Sequence, residues 1–573
     1  MKYPLLALPF LTGIALGQQP ISPRAMAEMK AVVAEKETRS PSQRKMQSSL
    51  VYLAREAAGK KAVEGAPLLK SHIRREADGR VTVEISAPPS AALTKAITDL
   101  GGTVVYESER WKSVRATLPP AAVEAIAARA DVKAINKAAT MTTHTVTNEA
   151  DAAHKANVSR VDFGVSGAGV KVGVLSDSVD HLAASQASGE LPMSLTVLPG
   201  RSGVPASGEG TAMLEIVHDI APDAQLYFAT AGPGKVGFAD SIALLRAAGC
   251  QIIVDDISYS TAEWQFQDDE IGQAVNAAVA DGAVYLSSSG NEGSKKRGTS
   301  TTWEGDFLSG GAAVAPLPTG TVQSFGANNY NATLAGSDPS FAVLQWSDAY
   351  GASGNDYDLY VLDTTGTSIV SSSADTQDGT GIPLETVDGV LPGQRVVIWK
   401  SPSAADRYLR LITPKAKLQT STAGQTIGHA GTAKCICVAA SDAWDAVNNG
   451  GGTFTTSSAV ENSSSDGPHR MFFKPNGSPL IADSTDFSST GGNNLQTPAI
   501  TGGDGGATSV PGFADFYGTS AAAPATAAIA ALVLSKNPTL TNTQMRTILE
   551  TSCLDIEGPG FEINSGNGIL MAD

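Results

Sequence analysis

Four short apolar runs constrain this chain most: Val170–Leu175, Gln225–Ala229, Gln251–Val254 and Ala283–Leu286. Helical patterns lie between them, at Gly210–Asp219, Phe238–Ala248 and 266–281. Strands that are apolar on both faces must be covered on both, and parallel neighbours need a crossover long enough to hold a helix. The alternation predicts an α/β fold on a mostly parallel sheet flanked by helices, with functional residues at the carboxyl ends of the strands. Core strands resume at Cys435–Ala440, and a helix runs from about Thr519 to Leu534, ended by Asn537-Pro538.

Between about 297 and 425 the alternation stops. Gly, Ser, Thr and Asp dominate there, with strand-like runs at Phe341–Trp346, Tyr357–Leu362, Arg395–Lys400 and Tyr408–Thr413. This reads as an antiparallel β-sandwich inserted into the α/β unit. Ahead of the sheet, strand, helix and turn signals over 80–136 follow a β-α-β-β-α-β order, the split ferredoxin-like pattern. Residues 24–72 are rich in Ala, Glu and Lys and read as a polar, helical or partly disordered lead-in.

The first 17 residues, MKYPLLALPFLTGIALG, combine Lys2, an apolar run and small residues near its end. That is the form of a secretory signal, so export to the extracellular space or periplasm is expected. No later run has the length to span a bilayer. The net charge of −16 argues against nucleic acid as a partner. Charge is also unevenly spread. Residues 18–137 hold about 20 Lys and Arg against about 13 Asp and Glu, whereas the chain beyond carries about −24. A basic front on an acidic body suggests two parts that dock. The four cysteines, Cys250, Cys435, Cys437 and Cys553, form no disulfide framework whose pairing can be read, and no Cys/His spacing fits zinc.

Chemistry concentrates in four motifs. Tyr517-Gly-Thr-Ser-Ala-Ala-Ala-Pro524 puts Ser520 at a glycine-preceded helix start, where free backbone N–H groups can stabilise an oxyanion. Val172-Gly-Val-Leu-Ser-Asp177 ends a strand in a carboxylate. Glu209-Gly-Thr-Ala-Met-Leu-Glu-Ile-Val-His-Asp-Ile-Ala-Pro222 opens a helix with a second one, and Ser287-Ser-Ser-Gly-Asn-Glu-Gly293 follows another strand. Taken in chain order they resemble the motifs of the subtilisin-like serine proteases, the subtilases, over about 155–293 and 430–555. The resemblance implies a secreted serine endopeptidase with Asp177 and Ser520 in the catalytic set, and Asn291 donating to the oxyanion. Ser258, Tyr259, Ser260 and Gly290 are then expected to bind substrate. It further implies that residues 18–150, with the ferredoxin-like core at 80–136, form a propeptide that inhibits residues 151–573 until removed somewhere in 137–160. Protein or peptide substrates and a monomer are expected.

The departure is Glu209, which stands where that family carries histidine. An unperturbed glutamate, at roughly 4.3, is a poor base toward a serine hydroxyl, but two carboxyls in contact resist double ionisation and share a proton. A Ser-Glu-Asp arrangement resembles the sedolisins, the serine-carboxyl peptidases, and implies a preference for acid. Their additional helix aspartate falls on Met213 here, and their oxyanion aspartate on Asn291, so Asp177 is the expected proton partner of Glu209. Asp255 and Asp256, unusual on a buried strand, read as an exposed strand-end pair, with support for a carboxylate network near Glu209 as the alternative. His218 falls on the opposite face of the Glu209 helix, and neither His181 nor His429 occupies a base position. Thr497-Pro-Ala499 and Ala525 also depart from the family. The competing reading is a subtilase-like scaffold that has lost its base and binds a partner. No cofactor is required; Asp348, Asp356 and Asp358, with Asn355, are the candidate ligands for Ca²⁺.

Overall fold

A nine-stranded sheet runs through the middle of the chain in the order 553–554, 569–570, 500–504, 436–442, 284–288, 252–255, 171–176, 225–230 and 196–197. Every neighbouring pair is parallel except the edge pair Cys553–Leu554 and Ile569–Leu570. The computed structural model describes residues 22–139, 149–312 and 320–573, apart from 72, 74 and 77. The signal reading over 1–17 and residues 140–148 of the expected cleavage region lie outside the described residues.

Side-chain alternation explains why the strands are apolar throughout. Val172, Val174, Ile252, Val254 and Leu286 point into one core, shared with the helices Glu209–Ile220 and Thr519–Lys536. Leu175, Ile253 and Tyr285 point into the other, shared with the helices Gly234–Ala247 and Glu270–Ala280. The helix Thr519–Lys536 is apolar all round because it is enclosed all round. Among the described residues it alone has the length and apolarity to cross a membrane, and here it is a core helix.

Residues 81–137 form a β-α-β-β-α-β unit whose sheet order is 103–108, 113–118, 81–86, 134–137, all antiparallel. It packs on the helix Gly234–Ala247. Tyr106 Oη meets the Asp240 carboxylate and accepts from Arg201 Nη2 at 3.0 Å, while Trp111 rests on the core beneath that helix. Residues 302–412 hold two antiparallel sheets, one of 302–306, 408–412, 340–346 and 384–390, the other of 309–312, 321–323, 395–400, 357–362 and 369–373 with 331–332 at its side. Their facing side chains, among them Trp346, Leu359, Val361, Ile398 and Leu411, make a separate core.

The lead-in is not a polar, solvated segment. Helices Pro23–Glu37 and Ser48–Ala57 bury Met29, Val32, Leu50, Val51 and Tyr52. The calcium reading is overturned as well. Asp356 and Asp358 hold the Lys36 ammonium at 2.9 and 3.0 Å, and Asp348 is taken up by Arg407, Asn355 and Ser353. No described group of acidic, His or Cys side chains is arranged to hold a metal ion. All four cysteines are free thiols.

Candidate active site

The carboxyl ends of the central strands and the start of the helix Thr519–Lys536 converge on one place. Gly518 has φ +112°, and a Cβ there would lie 2.4 Å from Asn291 Nδ2, so only glycine admits this approach. Its N–H donates to Asp504 Oδ2 at 2.6 Å. Asn291 Oδ1 accepts from both Thr519 N and Thr519 Oγ1 at 3.0 Å, which leaves the Nδ2 side of the amide beside Gly518 as donor. Thr519 Oγ1 in turn accepts from Gly290 N at 3.2 Å. Ser520 is buried, and its hydroxyl makes no hydrogen bond among the described residues.

Asp177, at the end of strand Lys171–Ser176, is buried and fully engaged. Its Oδ1 accepts from Ser178 N at 2.5 Å, and Oδ2 from Ser207 N and Oγ at 2.6 and 2.5 Å. The loop it holds leads through Gly208 into Glu209, the first residue of its helix. That helix packs against the helix of Ser520. Glu209 is 0 % exposed. Close packing fixes its place, since a Cβ on Gly210 would strike the Phe228 ring at 2.3 Å.

The carboxyl facing Glu209 is that of Asp256. Asp255 and Asp256 are not an exposed pair; both are 0 % exposed. The Asp256 carboxyl lies within electrostatic reach of Glu209 and Ser176, though neither of its oxygens meets a partner in hydrogen-bond geometry among the described residues. Burial pushes its carboxyl well above the usual range, as do the charges of Asp177 and Asp255, while Ser176 and Glu209 act the other way. Two ionised carboxylates cannot donate to one another; a protonated Asp256 can donate to Glu209.

Asp255 is paired differently. Its Oδ1 accepts from Ser287 Oγ at 2.9 Å and lies 3.1 Å from His429 Nε2, whose Nδ1 is 2.7 Å from Glu263 Oε2. His429 is buried, which opposes its charge, but Asp255 and Glu263 outweigh that and raise its pKa well above the ordinary histidine value. It is an ion-pair member, not a base for Ser520. His218 is half-buried on its helix's last turn, its pKa lowered by burial. His181 is exposed, with its ring against Gly208.

Ser258 and Gly290 face each other across a cavity also lined by Ile257, Ser288, Ser289 and Glu292. It measures about 10 Å³, the room one water needs. Ser260 is buried, 3.3 Å from Ser258 through their hydroxyls. Tyr259 does not line the cavity. It points into the core, donates its hydroxyl to Ala231 O at 2.8 Å, and gives its backbone N–H to Glu263 Oε1 at 2.6 Å. The side-chain alternation of an extended segment puts it opposite Ser258 and Ser260. Asp504, Ser207 and Glu263 were missed by sequence reasoning, and Asp256 was read first as an exposed strand-end residue and only second as support for Glu209. The one signal pointing to any of them was a carboxylate pair closing an apolar strand, against the trend for buried strands.

A parallel α/β sheet that brings a helix-start serine, a donor amide and buried carboxyls together defines a serine peptidase of subtilisin-like architecture. The chain belongs to the subtilase family, whose model matches residues 202–568. Among solved structures it is similar to the CspB protease of Clostridium perfringens, at 12 % identity over 74 % of this chain and 96 % of that one, TM-score 0.46. It is also similar to fervidolysin from Fervidobacterium pennivorans, a keratinolytic enzyme related to subtilisin, at 14 % identity over 86 % and 60 % of the two chains, TM-score 0.38. No curated protein sequence matches it.

Proposed function

We propose that this chain is an exported, acid-favouring serine endopeptidase in which Glu209 replaces the usual histidine and draws its proton balance from Asp256. Ser520 Oγ attacks the peptide carbonyl carbon and its proton passes to Glu209. The proton then goes to the leaving amine as the C–N bond breaks, and water repeats the sequence on the acyl-enzyme. Asn291 Nδ2 and the Ser520 N–H receive the developing oxyanion. Asp177 anchors the loop that delivers Glu209, through Ser207 and Ser178. Ser258 and Gly290 bound the site for the substrate side chain, and the segment 18–150 is the inhibitory leader.

The observation that carries this reading is the buried Asp256 carboxyl beside Glu209, whose helix packs against that of Ser520. A protonated Asp256 keeps Glu209 ionised and oriented; once both ionise, that hydrogen bond is lost. The competent state therefore holds one proton on the pair and is lost as pH rises through the raised Asp256 carboxyl. The test is peptide cleavage by the processed chain from pH 3 to 8, with Ser520→Ala and Glu209→Gln alongside. A rate that climbs steadily to pH 8 sinks the carboxyl-pair mechanism. Indifference of cleavage to both substitutions sinks the enzyme assignment at this site and favours a binding scaffold.

A further inference from the structure

The larger sheet of the insert is apolar on both faces. Along Tyr357–Leu362, the residues Tyr357, Leu359 and Val361 point into the core between the two sheets, whereas Tyr360 and Leu362 point outward. Along Arg395–Lys400, Val396 and Ile398 point inward, and Val397 and Trp399 outward. A sandwich whose outer face met water would alternate apolar with polar there. The outer face is instead covered by the leading segment, which sets Met26, Met29, Val32, Tyr52, Val63 and Leu69 against it in a core of their own.

Charge fixes the register of that contact. Lys36, at the end of the first helix, reaches Asp356 at 2.9 Å and Asp358 at 3.0 Å, with the Glu385 charge also nearby. One turn on, Arg39 is held by Glu35 at 2.8 Å and lies 3.6 Å from Asp375, which also accepts from Ser48 N at 2.8 Å. The second helix carries the coupling further. Its Leu50, Val51 and Leu53 belong to the core of the β-α-β-β-α-β unit, and Tyr52 to the face of the insert. At the far end of that unit, Lys137 Nζ meets Asp388 of the insert at 2.6 Å.

We propose that the outer face of the insert is a receptor for the leading segment, holding residues 22–137 as a non-covalent companion after the chain is cut. An apolar face bearing buried carboxylates has no stable solvated alternative, so the cut alone does not free the leader. The insert thus assigns the peptidase body a second grip on its leader, separate from the helix Gly234–Ala247. This rests on the proposal that the chain is cut between 137 and 160, and its test is independent of catalysis.

The test uses the full chain carrying Ser520→Ala, with the recognition sequence of a site-specific protease placed between residues 140 and 148. After cutting at pH 7.5, the leading fragment co-elutes with the body on size exclusion, and hydrogen exchange across Tyr357–Leu362 stays as slow as in the uncut chain. Lys36→Met or Asp356→Lys, one variant on each side of the contact, raises the released fraction at least tenfold; Tyr106→Phe, at the contact with Asp240 and Arg201 of the peptidase body, does so less. Release of the unsubstituted fragment at pH 7.5, or retention unchanged in both Lys36→Met and Asp356→Lys, overturns the assignment. Neither outcome bears on whether Glu209 is a base.

Discussion

Glu263 Oε1 accepts the backbone N–H of Tyr259 at 2.6 Å, while its Oε2 takes His429 Nδ1 at 2.7 Å. One carboxylate thereby pins the segment carrying Ser258 and, through His429, the Asp255 end of the neighbouring strand. His429 is raised well above its ordinary value, so its stabilisation is complete below about 6.5 and is lost as pH rises through its folded pKa. Burial opposes the charge of Glu263, but the His429 charge and the hydrogen bonds lower its pKa overall; its share is present above the ordinary carboxylate range and lost only as pH falls through the lowered value. In the Ser520→Ala background, the urea midpoint is expected to fall as pH is raised beyond neutrality. His429→Gln should cost about 3–5 kcal/mol at pH 6 and flatten that alkaline limb. An alkaline limb unchanged in the variant would remove His429 from the account.

Asp256 and Glu209 separate by substitution. Glu209→Gln removes the base and should lower kcat by about 10²–10⁴ at every pH. Asp256→Asn keeps a donor to Glu209 but cannot ionise. It should retain measurable activity at acid pH and lose the fall in rate as pH rises, because that fall reports Asp256 giving up its proton. A pH profile of Asp256→Asn that superimposes on the parent's, scaled or not, would return the proton partner to Asp177.

Gly518 and Asn291 make a second pair whose roles can be told apart. A Cβ at 518 would meet Asn291 Nδ2 at 2.4 Å in a backbone conformation with φ +112°. Gly518→Ala should cost about 1–3 kcal/mol and displace an oxyanion donor, lowering kcat by about 10²–10³. Adding Asn291→Ala removes the clash, so the double variant should recover part of the stability and none of the rate. Recovery of both would mean that Asn291 does not serve the oxyanion.

The sheet, its two helical layers and the serine-bearing helix were legible because their apolar periodicity follows from burial on both faces of each strand. Ser520, Asp177 and Glu209 were legible because each opens or closes such an element. Asp256 was legible only as the second of two readings, since its place depends on a helix start that meets it only in three dimensions, and the general rule for paired acids points to solvent. The direction of the Tyr259 side chain was not legible for a local reason: in an extended segment Ser258 faces the cavity while Tyr259 faces the core. The Lys36 contact was invisible because more than 300 residues separate it from Asp356. The carboxylates around it fit a calcium reading equally well until the ammonium is seen among them.

That contact gives the leader a pH response opposite to simple acid release. Burial raises Asp358 to about 6, and the Asp356 charge adds to this, against the pull of Lys36 and of the hydrogen bond from Tyr360. Glu385, facing Asp375, Asp358 and Lys36, is likewise pushed up, by burial first. Asp375, facing Arg39 and Ser48, shifts the same way, again through burial. Lys36 stays charged throughout, because its acidic neighbours outweigh its burial. Undocked and hydrated, such carboxyls return to the ordinary range near 4. The docked state therefore binds more protons between about pH 4 and 6, and docking tightens as pH falls and loosens as it rises through 6. The cut fragment is expected to leave the Ser520→Ala body about tenfold more slowly at pH 5 than at pH 8, with the difference reduced in Asp358→Asn. Stopped dilution followed by size exclusion measures both rates. Faster release at pH 5 would show that acid breaks the Lys36 contact instead of tightening it.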